Sequence, residues 1–259
     1  MRVVFFDVDG TLIDCVEKKI PQSSIEAIKE LKKHGYKVAL ATGRDIDSIR
    51  GIEDLDISMF DAYVLNNGAA IYDTRLQCIK DFPFLTEDVE KILGYCNEKN
   101  MSLIFDAVEG PYVANKITDF LIEGKRYYKE EIPPYIEWKG EEVVKINIFG
   151  PMGYDFSELE AEITARIVPC PTVCYDVMAN GISKQAGIRE LMKYYGFEEN
   201  DYMAFGDQEN DWEMLANAKI GVAVKDIDGS EELQQMADYV CEAPRENGIY
   251  NFLKNNGYI

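Results

Sequence analysis

Residues 3–14 read VVFFDVDGTLID and lie close to the N-terminus of a chain of 259 residues. The four consecutive apolar residues at 3–6 predict a strand buried on both faces, because a half-exposed strand would alternate apolar and polar side chains. Asp7 and Asp9 follow this strand, and Gly10 permits a tight turn after them. The two carboxylates therefore lie where ligands bind in an open α/β sheet, outside the carboxyl end of a buried strand.

The spacing of these two aspartates suits phosphoryl chemistry. One carboxylate can attack phosphorus, and the other can hold or deliver a proton for the leaving group. A divalent cation would relieve the repulsion between them, and their hard oxygen atoms favour Mg²⁺. The alternative is an acidic loop with no chemical role. The buried strand before the two aspartates and Gly10-Thr11 after them disfavour this alternative. A calcium loop fits poorly, since Thr11 and Lys18 stand at the fifth and twelfth positions counted from Asp7.

Composition and charge restrict the class of protein. The chain is 47% hydrophobic and 29% charged, as in globular proteins, and its length fits two domains. The net charge of -20 argues against nucleic acid as a partner, because phosphate backbones require basic surfaces. No stretch approaches the ~18 uninterrupted apolar residues of a membrane span, and Asp7 lies where a signal peptide would be apolar. We expect a cytoplasmic protein with no membrane partner.

The cysteine and histidine content argues against several kinds of site. The six cysteines form no CxxC pair and His34 is the only histidine, so the sequence favours neither a zinc site nor a histidine base. Cys170 and Cys174 could form a disulfide or a redox pair. Ordinary reduced thiols are the preferred interpretation in a cytoplasmic chain.

The segment after the acidic turn predicts a strand–helix–strand unit with parallel strands. A helix is expected over 21–35, capped by Ser23 or Ser24, and a strand over 37–41. The second strand ends at Thr42 and Gly43, which places a hydroxyl at the same edge as Asp7. That hydroxyl could bind a phosphoryl oxygen or cap the next segment, and Arg44 is compatible with a salt bridge or a substrate contact. A strand over 62–65, a turn at 66–68 and a hairpin over 69–80 follow.

The middle of the chain has a different pattern, which indicates an inserted α+β module over 83–181. VVKINIF, residues 143–149, alternates as expected of an antiparallel sheet with one covered face. Helices are predicted over 86–99, 117–125 and 156–166. Strands are predicted over 102–105, 112–114, 143–149 and 174–178.

The pattern of parallel strands returns after residue 182. A helix is predicted from 183 or 184 to 195, with Lys184 in its first turn, where a cation is unfavourable against the helix dipole. Lys184 is either a surface residue or a group that neutralises phosphoryl oxygens and carboxylates. A short strand over 202–205 precedes Asp207, Asn210 and Asp211, and the two aspartates can face one point near the strand end. Further strands are predicted over 220–224 and 239–241, and helices over 230–236 and 246–255.

Four ordered motifs resemble those of the haloacid dehalogenase superfamily, specifically its Cof-type phosphatases with a C2B-type cap. The motifs are residues 7–11, Thr42 with Gly43 and Arg44, Lys184, and residues 206–211. The resemblance implies an α/β fold in which residues 1–82 and 182–259 form a Rossmann-like core domain with a mostly parallel sheet. Residues 83–181 would form an inserted α+β cap domain.

The resemblance also implies a role for each motif residue. Asp7 would be the nucleophile, Asp9 the general acid and base, and Lys184 a catalytic cation. Mg²⁺ would be held by Asp7, the main-chain carbonyl of Asp9 and Asp207, with Asp211 supporting these ligands. The phosphoryl group would be bound by Thr42, Gly43, Lys184 and Asn210.

These roles predict a magnesium-dependent phosphatase that acts through an aspartyl-phosphate on small phosphorylated metabolites, such as sugar phosphates or phosphorylated cofactors. One alternative is a phosphosugar mutase of the same cap class, and another is a non-catalytic module that binds phosphorylated metabolites. A pure binding module has no use for both Asp7 and Asp9, which disfavours the second alternative. Dehalogenases are disfavoured because residues 14–38 leave no room for their cap.

Overall fold

The first strand of the chain, β1 (Val3–Phe6), lies inside a sheet, and all four of its side chains are fully buried in the computed structural model. The structure describes residues 1–107, 110–170 and 172–259. These residues form two units. We call them the core unit (Met1–Asp81 with Ile182–Ile259) and the inserted unit (Phe82–Gly181).

Helices and strands alternate along most of the core unit. After β1, its first segment contains α1 (Gln22–Lys33), β2 (Lys37–Ala41), α2 (Ile46–Arg50), β3 (Ala62–Leu65), β4 (Ala70–Asp73) and β5 (Cys78–Asp81). The inserted unit contains α3 (Thr86–Glu98), β6 (Ser102–Ala107), β7 (Gly110–Val113), α4 (Asp119–Tyr128), β8 (Lys145–Phe149), α5 (Ser157–Glu160), β9 (Arg166–Pro169) and β10 (Cys174–Met178). The second core segment contains α6 (Lys184–Tyr195), β11 (Tyr202–Gly206), α7 (Trp212–Ala216), β12 (Ile220–Lys225), α8 (Glu231–Met236), β13 (Tyr239–Glu242) and α9 (Gly248–Asn255). Among the described residues, no helix has the length and apolar character that a membrane crossing requires.

The core unit has an eight-stranded sheet in the order β13-β12-β11-β1-β2-β3-β4-β5. All neighbours from β13 to β3 are parallel, whereas β4 and β5 are added antiparallel at one edge. The inserted unit has an antiparallel five-stranded sheet in the order β7-β6-β8-β10-β9. The predicted α/β class, with a Rossmann-like and mostly parallel sheet, is confirmed.

Apolar packing fixes β1 from both sides of the sheet. Val4 and Phe6 belong to one buried cluster with Ile28 and Leu31 of α1, and the ring of Phe6 stacks on Phe205 at 5.1 Å. Successive side chains of a strand point to opposite faces, so the residues between them are buried on the other face. Each fully buried side chain of this size contributes about 1.5–3 kcal/mol to the hydrophobic free energy. The strand end that carries Asp7 is therefore firmly placed.

Two local predictions are wrong. The helix predicted over 156–166 extends only over Ser157–Glu160, and β9 follows it at Arg166–Pro169. The main-chain N–H of Thr164 donates to Asp88, and pairing with β10 outweighs the helical pattern of this segment. Neither Ser23 nor Ser24 caps α1, because the helix begins directly after Pro21, whose side chain has no group to accept a hydrogen bond.

Gly68 ends the turn after β3 and lies against the start of α6. Its φ of +100° is in the left-handed region, and a Cβ atom there would lie 2.0 Å from the carbonyl oxygen of Ser183. Gly35 has a similar φ of +85°, but a Cβ atom on it would meet no heavy atom of the described residues within 4 Å apart from its chain neighbours. The two glycines therefore share a backbone requirement and differ in the space around them.

We predict that Gly68→Ala lowers the free energy of unfolding by about 2–5 kcal/mol, because it adds a steric clash to the conformational cost. Gly35→Ala is the matched control and should lose only about 1–2 kcal/mol, the cost of the left-handed conformation. Urea denaturation of the two variants beside the parent protein measures both values. Equal losses in the two variants would show that the contact with Ser183 has no energetic effect.

Candidate active site

Three neighbouring strands bring polar residues to one edge of the core sheet. β1 leads into Asp7, β2 leads into Thr42, and β11 leads into Asp207. Because β11, β1 and β2 are adjacent and parallel, their carboxyl ends lie side by side. The main-chain N–H of Asp7 donates to the carbonyl of Phe205 at 3.0 Å, which joins the ends of β1 and β11.

Three buried carboxylates form a cluster at this edge: those of Asp7, Asp207 and Asp211. One oxygen from each lies within 4.8 Å of the others. The turn after β11 places Asp211, because its Oδ2 accepts hydrogen bonds from the main-chain N–H groups of Asp207 at 2.9 Å and Gln208 at 3.1 Å. The turn therefore brings the side chain of Asp211 back to the main-chain amides at the end of β11, close to Asp207.

Lys184 bridges two of these carboxylates. It is the first residue of α6 and is 1% exposed, and its Nζ donates to Oδ1 of Asp7 and to Oδ1 of Asp211, each at 2.6 Å. The preceding Ser183 caps the helix by accepting the N–H of Ala186 at 3.3 Å. Burying an ammonium group costs several kcal/mol, and two close carboxylates offset that cost. The position in the first helical turn is therefore explained by these ion pairs.

Burial raises the pKa of two of the carboxyl groups. The pKa of Asp7 rises from 3.8 to about 7, because desolvation and the charges of Asp211 and Asp9 outweigh the lowering effect of Lys184. The pKa of Asp207 rises to about 9, mainly through desolvation and then through the charges of Asp7 and Asp211. When all three carboxyl groups are ionised, they and the one ammonium leave an excess of two negative charges, which a divalent cation would balance. The hard oxygen donors fit such a cation.

Asp9 lies in a different environment from Asp7. Its side chain is 57% exposed and accepts two hydrogen bonds from Arg44, with Nε to Oδ2 at 2.8 Å and Nη2 to Oδ1 at 2.7 Å. This fork-shaped pairing holds the carboxylate in one orientation. The side chain of Asp9 is therefore not one of the buried carboxylates of the cluster.

The loops after β2 and β3 interlock beside these carboxylates. Thr42 is buried, and its hydroxyl accepts the main-chain N–H of Arg44 at 3.2 Å. Gly43 lies against the amide of Asn67, whose Nδ2 would be 3.1 Å from a Cβ atom on Gly43. Asn210, an exposed residue, donates from its Nδ2 to Oδ1 of Asn67 at 3.1 Å. Asn67 thus links the predicted residues Thr42 and Gly43 to the predicted residue Asn210.

Thr11 and Gly10 place Asp207. The hydroxyl of Thr11, which is fully buried, donates to Oδ1 of Asp207 at 2.9 Å. A Cβ atom on Gly10 would lie 2.1 Å from Oδ2 of Asp207, so only glycine permits this approach. The glycine and threonine of the first motif therefore serve to hold a carboxylate from a strand about 200 residues later in the chain.

The sequence assigned no chemical role to Thr11 or Asn67, and it left Arg44 between a salt bridge and a substrate contact. The structure shows a salt bridge from Arg44 to Asp9. The partners of Thr11 and Arg44 come from other parts of the chain and could not be identified from spacing. Asn67 is the second residue after the end of β3, and its φ of 53° is rare outside glycine and asparagine. Its place beyond the carboxyl end of a parallel strand is the signal that could have identified it.

Comparison with known proteins shows the family to which the chain belongs. The chain matches the family of haloacid dehalogenase-like hydrolases over residues 4–253. It is 27% identical over 261 residues to a phosphoglycolate phosphatase of Methanosarcina acetivorans, with 100% of this chain and 99% of the relative covered. Its structure is similar to that of BT1666 from Bacteroides thetaiotaomicron, a phosphatase of the same superfamily, with a TM-score of 0.87, 26% identity and coverage of 100% and 96%. The subclass IIB sugar phosphatase BT4131 is also similar, with a TM-score of 0.83, 28% identity and coverage of 100% of both chains.

The raised pKa values of Asp7 and Asp207 predict how stability depends on pH and on Mg²⁺. In metal-free protein, the two carboxyl groups contribute most to the free energy of unfolding when they are protonated. This contribution is fully present below a pH of about 4, and it is lost as the pH rises through about 7 for Asp7 and about 9 for Asp207. Added Mg²⁺ requires the ionised carboxylates, so its stabilising effect should grow over the same range. We expect its increase in the melting temperature to be at least about 5 °C larger near pH 9 than near pH 6.

Thermal unfolding in excess MgCl₂ and in chelator, followed by circular dichroism, measures this difference. Asp207→Asn should reduce the dependence of the magnesium effect on pH, because it removes the carboxyl group with the larger shift. A magnesium effect that is the same at both pH values would contradict the prediction.

Proposed function

Because this chain belongs to the haloacid dehalogenase-like hydrolase family and is similar to phosphatases over its whole length, it is a phosphoric monoester hydrolase, and we propose that it is magnesium-dependent and specific for small phosphorylated metabolites. The observation that carries the proposal is the cluster of Asp7, Asp207 and Asp211 with Lys184 buried between them. The cluster combines a nucleophile, a cation and a site for a divalent metal at the edge of one sheet.

We assign the attack on phosphorus to Oδ2 of Asp7. Lys184 donates to Oδ1 of the same carboxylate and so fixes its orientation at the end of β1. As Oδ2 forms a bond to phosphorus, the bond from phosphorus to the leaving oxygen breaks and an aspartyl-phosphate results. Water then attacks this phosphorus, which releases inorganic phosphate and restores the carboxylate of Asp7.

Asp9 is assigned both proton transfers. It gives a proton to the leaving oxygen in the first step and takes one from the attacking water in the second. Both oxygens of its carboxylate accept hydrogen bonds from Arg44, so carrying a proton requires Arg44 to release at least one of them. An anionic phosphoryl group is a competing acceptor for the guanidinium. Substrate binding would thereby free Asp9 for its task.

Four residues are proposed to bind the phosphoryl oxygens. The ammonium of Lys184 has three N–H groups, two of which donate to Asp7 and Asp211, and the third remains for a phosphoryl oxygen. The hydroxyl of Thr42 accepts a hydrogen bond from a main-chain N–H, so its own hydrogen can be donated to substrate. Gly43 has no side chain, so its main chain can approach a phosphoryl group at the same edge. The side chain of Asn210 is oriented for the phosphoryl group by its hydrogen bond to Asn67.

Mg²⁺ would be held by Asp7, Asp207 and the main-chain carbonyl of Asp9. Both oxygens of Asp211 already accept hydrogen bonds, from Lys184 and from main-chain amides, so we assign Asp211 the support of the other ligands. When bound, the ion supplies positive charge that stabilises the equatorial oxygens in the transition state. The oxygen-only donor set favours Mg²⁺ over softer metals.

Two observations support a small phosphorylated metabolite as the substrate. The similar proteins are named a phosphoglycolate phosphatase and a sugar phosphatase, and both names denote small phosphomonoesters. The net charge of -20 opposes the approach of polyanions such as nucleic acid. Sugar phosphates and phosphorylated cofactors fit both observations.

Phosphate release from a panel of small phosphomonoesters tests the proposal. We expect release that requires Mg²⁺, is abolished by chelator and falls by at least about 1,000-fold in Asp7→Asn, because the amide is no nucleophile. Transfer of the phosphoryl group between sugar positions, with little free phosphate, would overturn hydrolysis in favour of a mutase. Release that persists in Asp7→Asn would remove Asp7 as the nucleophile.

Lys184→Ala should lower the turnover number by about 100- to 1,000-fold, because it removes the cation that faces both nucleophile and phosphoryl oxygens. Its loss leaves Asp7 and Asp211 buried without their cation, so the variant should also lose about 3–5 kcal/mol of stability. Lys193→Ala is the control, since Lys193 is exposed on the same helix. Turnover is normalised to the folded fraction measured by circular dichroism. Unchanged turnover in Lys184→Ala would contradict the assigned role.

A further inference from the structure

A second group of side chains with suitable donor atoms for a metal ion lies in the inserted unit. One donor atom from each of Cys170, Cys174 and Asp176 lies within 4.8 Å of the others. Both cysteines are free thiols. None of the three residues belongs to the active-site cluster, and the phosphatase chemistry proposed above uses none of them.

The β9–β10 hairpin brings the three side chains together. The main-chain N–H of Cys170 donates to the carbonyl of Cys174 at 3.0 Å, which continues the pairing of the two strands beyond Pro169. Cys174 and Asp176 are two residues apart on β10, so their side chains point to the same face of the sheet. This juxtaposition depends on strand pairing, which explains why the cysteine spacing alone gave no sign of a metal site.

A neighbouring strand fixes the carboxylate of Asp176. Asn147 of β8 stands opposite Asp176 in the sheet, and its Nδ2 donates to Oδ1 of Asp176 at 2.5 Å. The hydrogen bond orients the carboxylate and leaves Oδ2 as the donor atom for a cation. Metal-binding carboxylates are commonly held by an outer hydrogen-bonding partner in this way.

We propose that Cys170, Cys174 and Asp176 form a binding site for one Zn²⁺ ion in the inserted unit. Thiolate sulfur is a soft ligand that selects Zn²⁺ over Mg²⁺, so the ion differs from that of the carboxylate cluster. Bonds of about 2.3 Å to sulfur and about 2.0–2.2 Å to oxygen place donor atoms about 3–4 Å apart. The three donor atoms here already lie within 4.8 Å of one another. Each thiol releases its proton to solvent on binding, and no redox change occurs. Water completes the tetrahedral coordination.

Titration of the reduced full-length protein with Cd²⁺, a soft stand-in for Zn²⁺, tests the site. Excess Mg²⁺ is present throughout so that the active-site carboxylates are occupied. We expect ultraviolet sulfur-to-cadmium absorption that saturates at one equivalent and disappears when Zn²⁺ is added. Cys170→Ser and Cys174→Ser should each weaken binding by more than about 100-fold, and Asn147→Ala by about 10- to 100-fold.

Cys78→Ser is the matched control, because Cys78 is an exposed thiol of the core unit and should leave the titration unchanged. Circular dichroism of each variant confirms that its fold is retained. The proposal is overturned by the absence of saturable absorption, by an equal loss in Cys78→Ser, or by full binding in Cys170→Ser and Cys174→Ser. Isolation of the protein with a stable disulfide between Cys170 and Cys174 would also overturn it, because the thiols would then be unavailable as ligands.

Discussion

The ammonium group of Lys184 makes the buried carboxylate cluster possible. Asp7 and Asp211 both bond to it at 2.6 Å, and Asp207 lies beside them with a strongly raised pKa. Without the ammonium, three acidic groups would share a buried site with no opposing charge, an arrangement that costs several kcal/mol per ion. With it, the ionised cluster has an excess of two negative charges, which a divalent cation would neutralise. The lysine thus allows the carboxylates to be buried, and it leaves negative charge that a divalent cation can neutralise.

The rigid surroundings of the cluster come from apolar packing. β1 is buried on both faces, so the main chain on which Asp7 lies cannot move without disturbing the core on either side of the sheet. At the other end of the site, Gly68 contacts Ser183 at the start of α6 and thereby fixes where the helix, and Lys184 with it, begins. Distances of a few tenths of an ångström matter in phosphoryl transfer, and packing of this kind maintains them.

Local sequence signals identified those parts of the molecule that depend on local physics. The unbroken apolar run at residues 3–6 predicted β1, and the unfavourable place of Lys184 in the first helical turn indicated that its position needs a specific cause. The fold class is confirmed, whereas the roles of the individual site residues stay predictions. Pairing between distant segments was not visible in the sequence. The fork between Arg44 and Asp9, the bond from Thr11 to Asp207 and the strand β9 all depend on partners that only the tertiary structure supplies.

The two aspartates of the first motif show how residues only two positions apart come to lie in different environments. Val8 between them is fully buried and anchors the turn, so that Asp7 points into the interior and Asp9 outward. The side chain of Asp7 is 7% exposed and faces an ammonium, whereas that of Asp9 is 57% exposed and faces a guanidinium. A buried carboxylate fixed by a lysine that cannot leave suits a nucleophile, which must keep one orientation. An exposed carboxylate whose partner can turn to an incoming anion suits proton transfer, which requires the group to gain and lose a proton in each cycle.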